Sequence, residues 1–270
     1  MNALELLSFP AHASHRGGRH HLFGPENTMY SYRKSVHDCG TQILEIDLYL
    51  SKDGHIILHH DPTVRIGNSG NDTNIKNLVL EKIKTVDAAY NFTPDGITFP
   101  MRGKGHTIPT LRDVLDEFDS KNDLLFFFDF KDIDAIEPAM LEIESRNLSK
   151  RVIFGAVLEE INSKLLSIKN SIPLAADYAT MRNIVANYQA GTLNKLQIRH
   201  EILGFYLPDD ESYKTIINYD LFDAFHSLHK KIALFGPALD RTDVVNYALG
   251  AKTDIIFSDR PDVLRSVLDK

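Results

Sequence analysis

Cysteine is almost missing from this chain: Cys39 is the only one in 270 residues. A lone thiol excludes an internal disulfide framework and fits a reducing compartment. No run approaches the roughly 20 apolar residues that span a bilayer. The N-terminal MNALELLSFPAHA lacks a basic segment and has only a very short apolar one, so it does not read as a signal peptide. The expected setting is cytoplasmic, with no transmembrane segment and any membrane contact peripheral. Positive charge is in deficit as well, 30 basic against 37 acidic side chains, for a net charge of −7. That balance argues against a nucleic-acid partner held by bulk electrostatics. A local anionic ligand is still allowed, because a few placed cations decide that.

What the chain does contain is 43% hydrophobic residues, enough to bury a full core. Short apolar runs alternate with helical patterns, and no long internal repeat interrupts them. Nine segments read as strands: 9–15, 43–50, 56–60, 124–130, 152–157, 173–176, 202–207, 232–235 and 254–258. Ser51-Lys52-Asp53-Gly54-His55 is hairpin chemistry, so the second and third should be antiparallel neighbours. Setting the third aside as a hairpin arm leaves eight parallel strands. The expected fold is an α/β (β/α)₈ barrel filling residues 1–270 as a single domain, with an insertion over about 56–107 after strand two. Most of the insertion reads as irregular, including the run Gly67-Asn68-Ser69-Gly70-Asn71-Asp72, with one helix expected over 78–89.

Polar residues collect where the barrel strands should end. Glu45 and Asp47 are two apart on a strand and so share one face, opposite Leu44, Ile46 and Leu48. Two such carboxylates repel unless a proton or cation lies between them. Asp129 ends a strongly apolar strand and shares a face with Lys131. Together Glu45, Asp47 and Asp129 make an all-oxygen ligand set, which favours a hard divalent cation, Mg²⁺ or Ca²⁺, over zinc. Eight of the twelve histidines fall in the first 60 residues, and most are ordinary surface or hydrogen-bonded side chains. His15 differs because it ends strand one just before Arg16-Gly17-Gly18. His60 differs because it ends the hairpin arm beside Asp61 and Pro62. His59 competes with it, since alternation does not say which of two adjacent residues points inward. Glu26, by composition, reads as a carboxylate in the first turn of the next helix.

In order along the chain stand HRG (His15 to Gly17), PENT (Pro25 to Thr28), LEIDLYLSKDG (Leu44 to Gly54), HHDPTVR (His59 to Arg65), IPTLRDVL (Ile108 to Leu115), DFK (Asp129 to Lys131) and GAKTDIIFSDRP (Gly250 to Pro261). This ordered set resembles the glycerophosphodiester phosphodiesterase family, and Asp129, SHRGG and ENTM resemble its eukaryotic-type branch. The resemblance implies a TIM barrel that cleaves glycerophosphodiesters to glycerol 3-phosphate and an alcohol. It implies acid/base roles for His15 and His60 and metal ligation by Glu45, Asp47 and Asp129. Phosphate binding would fall to Arg16 and Lys131, with Glu26 supporting the site. Three departures accompany it. Many relatives have Glu at position 129, the 18–24 loop is long, and Phe235-Gly236 replaces a Trp-Thr pair in a chain without tryptophan. A lysophospholipase D, with Ile97, Phe99 and Met101 lining an acyl groove, is one alternative. A catalytically silent barrel that binds phosphodiesters is another.

Overall fold

A computed structural model describes residues 2–66, 72–168 and 171–269. Residues 67–71 of the glycine- and asparagine-rich run lie outside them. Seven parallel strands form the wall, namely β1 (Ala11–Ser14), β2 (Ile43–Leu50), β6 (Leu125–Phe130), β7 (Val152–Gly155), β8 (Ile202–Tyr206), β9 (Lys231–Phe235) and β10 (Ile255–Ser258). They are ordered β7-β6-β2-β1-β10-β9-β8. β3 (Ile56–Leu58) pairs antiparallel with β2, as the Asp-Gly turn requires.

The expected strand 173–176 is reduced to two bridging residues. Leu174 pairs in parallel with Phe154 of β7, and Ala175 pairs with Ile202 of β8. This seam closes the ring, and the fold is a TIM barrel. A buried polar set supplements its short ladder. Asn162, on the helix Glu159–Ser167, donates Nδ2 to the carbonyl oxygens of Ala156 (3.3 Å) and Ala175 (2.9 Å). Its Oδ1 accepts from His200 Nε2 at 2.8 Å. Burial depresses the His200 pKa, so the ring is a neutral donor.

Alternation along each strand sorts two cores. Ala11, Ala13, Ile43, Leu125, Phe127 and Phe257 fill the barrel interior. Leu44, Ile46, Leu48, Phe126, Phe128 and Phe130 face outward under the helices, which include Leu111–Phe118 and Ile136–Ser145. Each fully buried Phe or Leu contributes roughly 1.5–3 kcal/mol. Phe127 meets Phe257 edge to face at 5.0 Å, forming an aromatic layer below the polar strand ends. Gly155 makes room for it, since a Cβ there would fall 2.5 Å from the Phe127 ring.

The insertion is more regular than expected in one place and less in another. β4 (Thr63–Arg65) and β5 (Asp72–Asn74) form an antiparallel ribbon where irregular chain was anticipated, because alternation buries Val64 against Ile57, Ile75, Ile83 and Ile108. The helix expected over 78–89 is confined to Leu80–Ile83. Beyond it the Asp87 carboxylate takes the Ala89 and Gly103 backbone N–H groups, which competes with helix continuation. Ile97 is exposed and Phe99 half-exposed under the Arg102 guanidinium, so neither joins the insertion's small core.

Two outcomes follow for stability. Gly155→Ala should push the Phe127 ring from its seat and cost about 1–3 kcal/mol, lowering the thermal midpoint by about 2–10 °C. Differential scanning calorimetry measures it. His12, buried on the outer face of β1 with both ring nitrogens unpaired, has its pKa lowered to about 4 by burial and by the Arg265 charge. The unfolded chain, with a histidine pKa near 6.5, therefore binds more protons between pH 6.5 and 4. Stability is complete above that window and is lost as pH falls through it, by up to about 1.4 kcal/mol per pH unit. His12→Gln should flatten this slope in urea melts recorded from pH 7 to 4; an unchanged slope would assign the acid sensitivity elsewhere.

Candidate active site

The parallel register of β2 and β6 sets Asp47 directly beside Asp129, one strand spacing away. Glu45 is two residues back on the same inward face. One oxygen from each of Glu45, Asp47 and Asp129 lies within 4.8 Å of the others. Asp47 and Glu45 are buried, and Asp129 is nearly so.

Cations close in from both sides. Lys131 Nζ donates to Asp129 Oδ2 at 2.6 Å and lies 3.1 Å from Asp47 Oδ1. Arg16 sits with Nε 3.3 Å from Asp47 Oδ2, while its Nη1 donates to Glu26 Oε1 at 2.9 Å. Its backbone N–H donates to Glu45 Oε2 at 2.6 Å. This last bond depends on left-handed backbone at Arg16 (φ 55°) and Gly17 (φ 78°). A side chain on Gly17 would meet the Tyr32 ring at 2.6 Å. Glu26, read from composition as a plain helix carboxylate, instead anchors Arg16 and pairs with Arg19.

The charges in this cluster are unequal. Burial and the neighbouring charge of Asp47 push Glu45 up to about 8. Burial also works against an ionised Asp47, but Lys131, Arg16 and a hydrogen bond from Asn27 outweigh it and hold its carboxyl below the usual range. His15 and Arg16 oppose this shift without cancelling it. Asp129 Oδ1 is buried with no hydrogen-bond partner, and Asp47 Oδ1 has only the Lys131 ammonium beside it. These orphaned oxygens, with the all-oxygen donor set, fit a divalent metal ion.

The histidines differ in their partners. His15 Nδ1 is 2.7 Å from Asp259 Oδ1. Burial opposes its charge, but the Asp259 hydrogen bond and the Glu45 charge prevail and raise its pKa. β3 stops at Leu58, so His59 and His60 stand beyond the strand that was expected to carry them. His59 N–H still donates to the Asp47 carbonyl oxygen at 3.3 Å, tying the arm to β2. Burial lowers the His59 pKa, and its ring lies in a cavity of about 310 Å³ with Asp61, Thr63 and Tyr90. His60 Nδ1 bonds Asp61 Oδ1 at 2.9 Å, and its charge acts on Asp47.

All eight sequence-derived candidates thus meet at one end of the barrel, and two further residues join them. Asn27 donates Nδ2 to Asp47 Oδ2 at 2.7 Å and accepts from Tyr32 Oη at 2.7 Å. It lies inside PENT, beside the glutamate, and an asparagine there carries no signal in the sequence that separates it from a turn residue. Asp259 follows the last strand, so the strand-end rule applied to Asp129 could have found it. At the departures, Phe235 is half-buried against Tyr206 with ring centres 5.7 Å apart, so an aromatic wall is kept without a Trp.

The chain is similar to known glycerophosphodiester phosphodiesterases. Over 148 residues the chain is 32% identical to a glycerophosphodiester phosphodiesterase of Caldanaerobacter subterraneus, covering 53% of this chain and 56% of that protein. Over 167 residues it is 33% identical to glycerophosphodiester phosphodiesterase 1 of Bos taurus, covering 60% of this chain and 47% of the other. These matches span about half the length of either relative. In structure it is similar to the glycerophosphoryl diester phosphodiesterase domain of a Mycobacterium tuberculosis protein, with a TM-score of 0.79 and 17% identity over 96% of this chain and 99% of that one. That likeness concerns the fold. The sequence profile of one family covers residues 15–263, from the first site histidine to just past Asp259. The chain belongs to the glycerophosphoryl diester phosphodiesterase family.

Proposed function

We propose that residues 1–270 form one catalytic unit that hydrolyses glycerophosphodiesters, in a metal-dependent reaction, to glycerol 3-phosphate and an alcohol. The observation that carries this is the convergence of Glu45, Asp47 and Asp129 within 4.8 Å, flanked by Arg16 and Lys131. Mg²⁺ or Ca²⁺ held by those three carboxylates would supply positive charge to a non-bridging phosphate oxygen. Arg16 and Lys131, both held firmly charged by the surrounding carboxylates, bind the other phosphoryl oxygens. Glu26 keeps Arg16 turned toward the site.

His15 and His60 have Nδ1 engaged by a carboxylate, which leaves Nε2 of each for proton transfer. One takes a proton from the attacking oxygen as its bond to phosphorus forms. The other delivers a proton to the alcohol oxygen as the P–O bond breaks. Each such group is typically worth about 10²–10⁴-fold. The aromatic layer of Phe127 and Phe257 seals the pocket floor, so the charges act in a medium poor in water. The proposed location is cytoplasmic. Among the described residues no helix is long and apolar enough to cross a membrane.

Product analysis on glycerophosphocholine tests the reading directly. Activity should vanish on chelation and return with Mg²⁺ or Ca²⁺, and His15→Ala should lower kcat by about 10²-fold or more. Full activity in the mutant, or after chelation, would remove the assignment. A higher rate on lysophosphatidylcholine than on glycerophosphocholine would replace the substrate class with a lysophospholipid. His60→Ala should reproduce the loss seen for His15→Ala, whereas His59→Ala should change kcat by less than about tenfold. The reverse ranking in steady-state kinetics would transfer the proton-transfer role to His59.

A further inference from the structure

We propose that Asp259 is a positioning residue for His15, accepting its Nδ1–H and so fixing the tautomer whose bare nitrogen, Nε2, faces the reaction. This rests on the reading of His15 as a proton-transfer group. The geometry follows from strand register. β1 and β10 are parallel neighbours in which Ser14 pairs with Ser258. The residues just past the two strand ends are His15 and Asp259, so two side chains 244 positions apart are delivered side by side at 2.7 Å.

The backbone holds both ends of the contact. Arg19 N–H donates to the Asp259 carbonyl oxygen at 2.9 Å, and Gly18 N–H to that of His15 at 2.8 Å. The long 18–24 loop therefore fastens the end of β10 to the end of β1. His15 and Asp259 are only 20% and 15% exposed, which shields the bond from water. His60 offers the contrast, because its partner Asp61 is its own sequence neighbour and is 70% exposed.

Other charges around the pair keep Asp259 in its accepting form. Arg16 and Arg19 face it, and with His15 they hold its carboxyl below the usual range despite burial. Asp240 approaches from the end of β9, hydrogen-bonded to Ser258 Oγ at 3.2 Å. Burial and the Asp259 charge push Asp240 up to about 6, so of these two carboxyls Asp240 is the first to take a proton. The Glu45 carboxyl is the other acidic group acting on His15. A carboxylate fixed behind an imidazole in this way sets both its orientation and its tautomer.

The test combines kinetics with spectroscopy on the whole chain, using glycerophosphocholine with saturating Mg²⁺. Asp259→Asn should lower kcat at least about tenfold while KM stays within about threefold. In the double variant His15→Ala/Asp259→Asn, activity should match that of His15→Ala alone, since the two act through one ring. Wild-type kcat in Asp259→Asn, or losses that multiply in the double variant, would overturn the proposal. Full activity of His15→Ala by itself would instead remove the underlying reading of His15. A measurement on the unaltered protein guards against a folding defect in the variants. With ¹⁵N-labelled histidine, and His15 assigned by its disappearance in His15→Ala, the neutral ring should carry its proton on Nδ1. A proton on Nε2 would refute the positioning role.

Discussion

Three carboxylates gathered within 4.8 Å inside a barrel cannot all be ionised unless positive charge is placed among them. Much of the local architecture at the C-terminal end of this barrel answers that constraint. Arg16 reaches Asp47 from the end of β1, and Lys131 reaches it from the end of β6. Asn27, braced by the Tyr32 hydroxyl, donates from the loop before the first helix. Even the Arg16 backbone is recruited, through left-handed geometry, to cap Glu45. These contacts settle Asp47 as an anion but leave Glu45 raised to about 8. The residual demand for positive charge fits a divalent cation among these carboxylates.

Much of this was legible in the sequence because it rests on local periodicity. A period of two assigned Glu45 and Asp47 to the face opposite Leu44, Ile46 and Leu48, and the structure divides them in that way between interior and outer core. Asp53-Gly54 identified the antiparallel arm, which removed one strand from the count and left a barrel. What escaped was governed by register and by contacts distant in sequence. The strand expected over 173–176 lies where the sequence placed it, but its shortening to the Leu174–Ala175 seam was not legible, because Asn162 and His200, distant in sequence, perform part of the work of a ladder. Asp259 resembled any polar residue after a strand until the pairing of β10 with β1 set it on His15. The β4–β5 ribbon was hidden because turn-forming residues dominate the composition of the segment around it.

The two proton-transfer candidates sit on elements of different rigidity, and that difference has chemical meaning. His15 extends a barrel strand, is held by a buried carboxylate from the neighbouring strand, and lies beside Glu45. His60 lies past the end of a three-residue strand, with an exposed partner. The cavity lined by its neighbours His59 and Asp61 is bordered by the insertion, through Thr63, Tyr90 and Asn91. In the proposed reaction the leaving alcohol varies between substrates, whereas the glycerophosphate portion is common to all of them. The barrel wall would then meet the common half, and the insertion, whose ribbon and short helix pack on their own small core, the variable half.

Two of the departures from the resembled family lie at strand ends, Asp129 on β6 and Phe235 on β9. Asp129 has a shorter side chain than the glutamate of many relatives, yet register sets it directly beside Asp47, and its oxygen still reaches the common point. Ligand convergence is thus fixed by backbone pairing rather than by side-chain length. At Phe235 the loss of an indole removes a hydrogen-bond donor but keeps an aromatic face against Tyr206. That part of the rim therefore offers an aromatic surface, while the charged groups Arg16 and Lys131 gather at the carboxylates. In the proposed reaction such an arrangement would hold the phosphate by charge and the alcohol portion by shape alone.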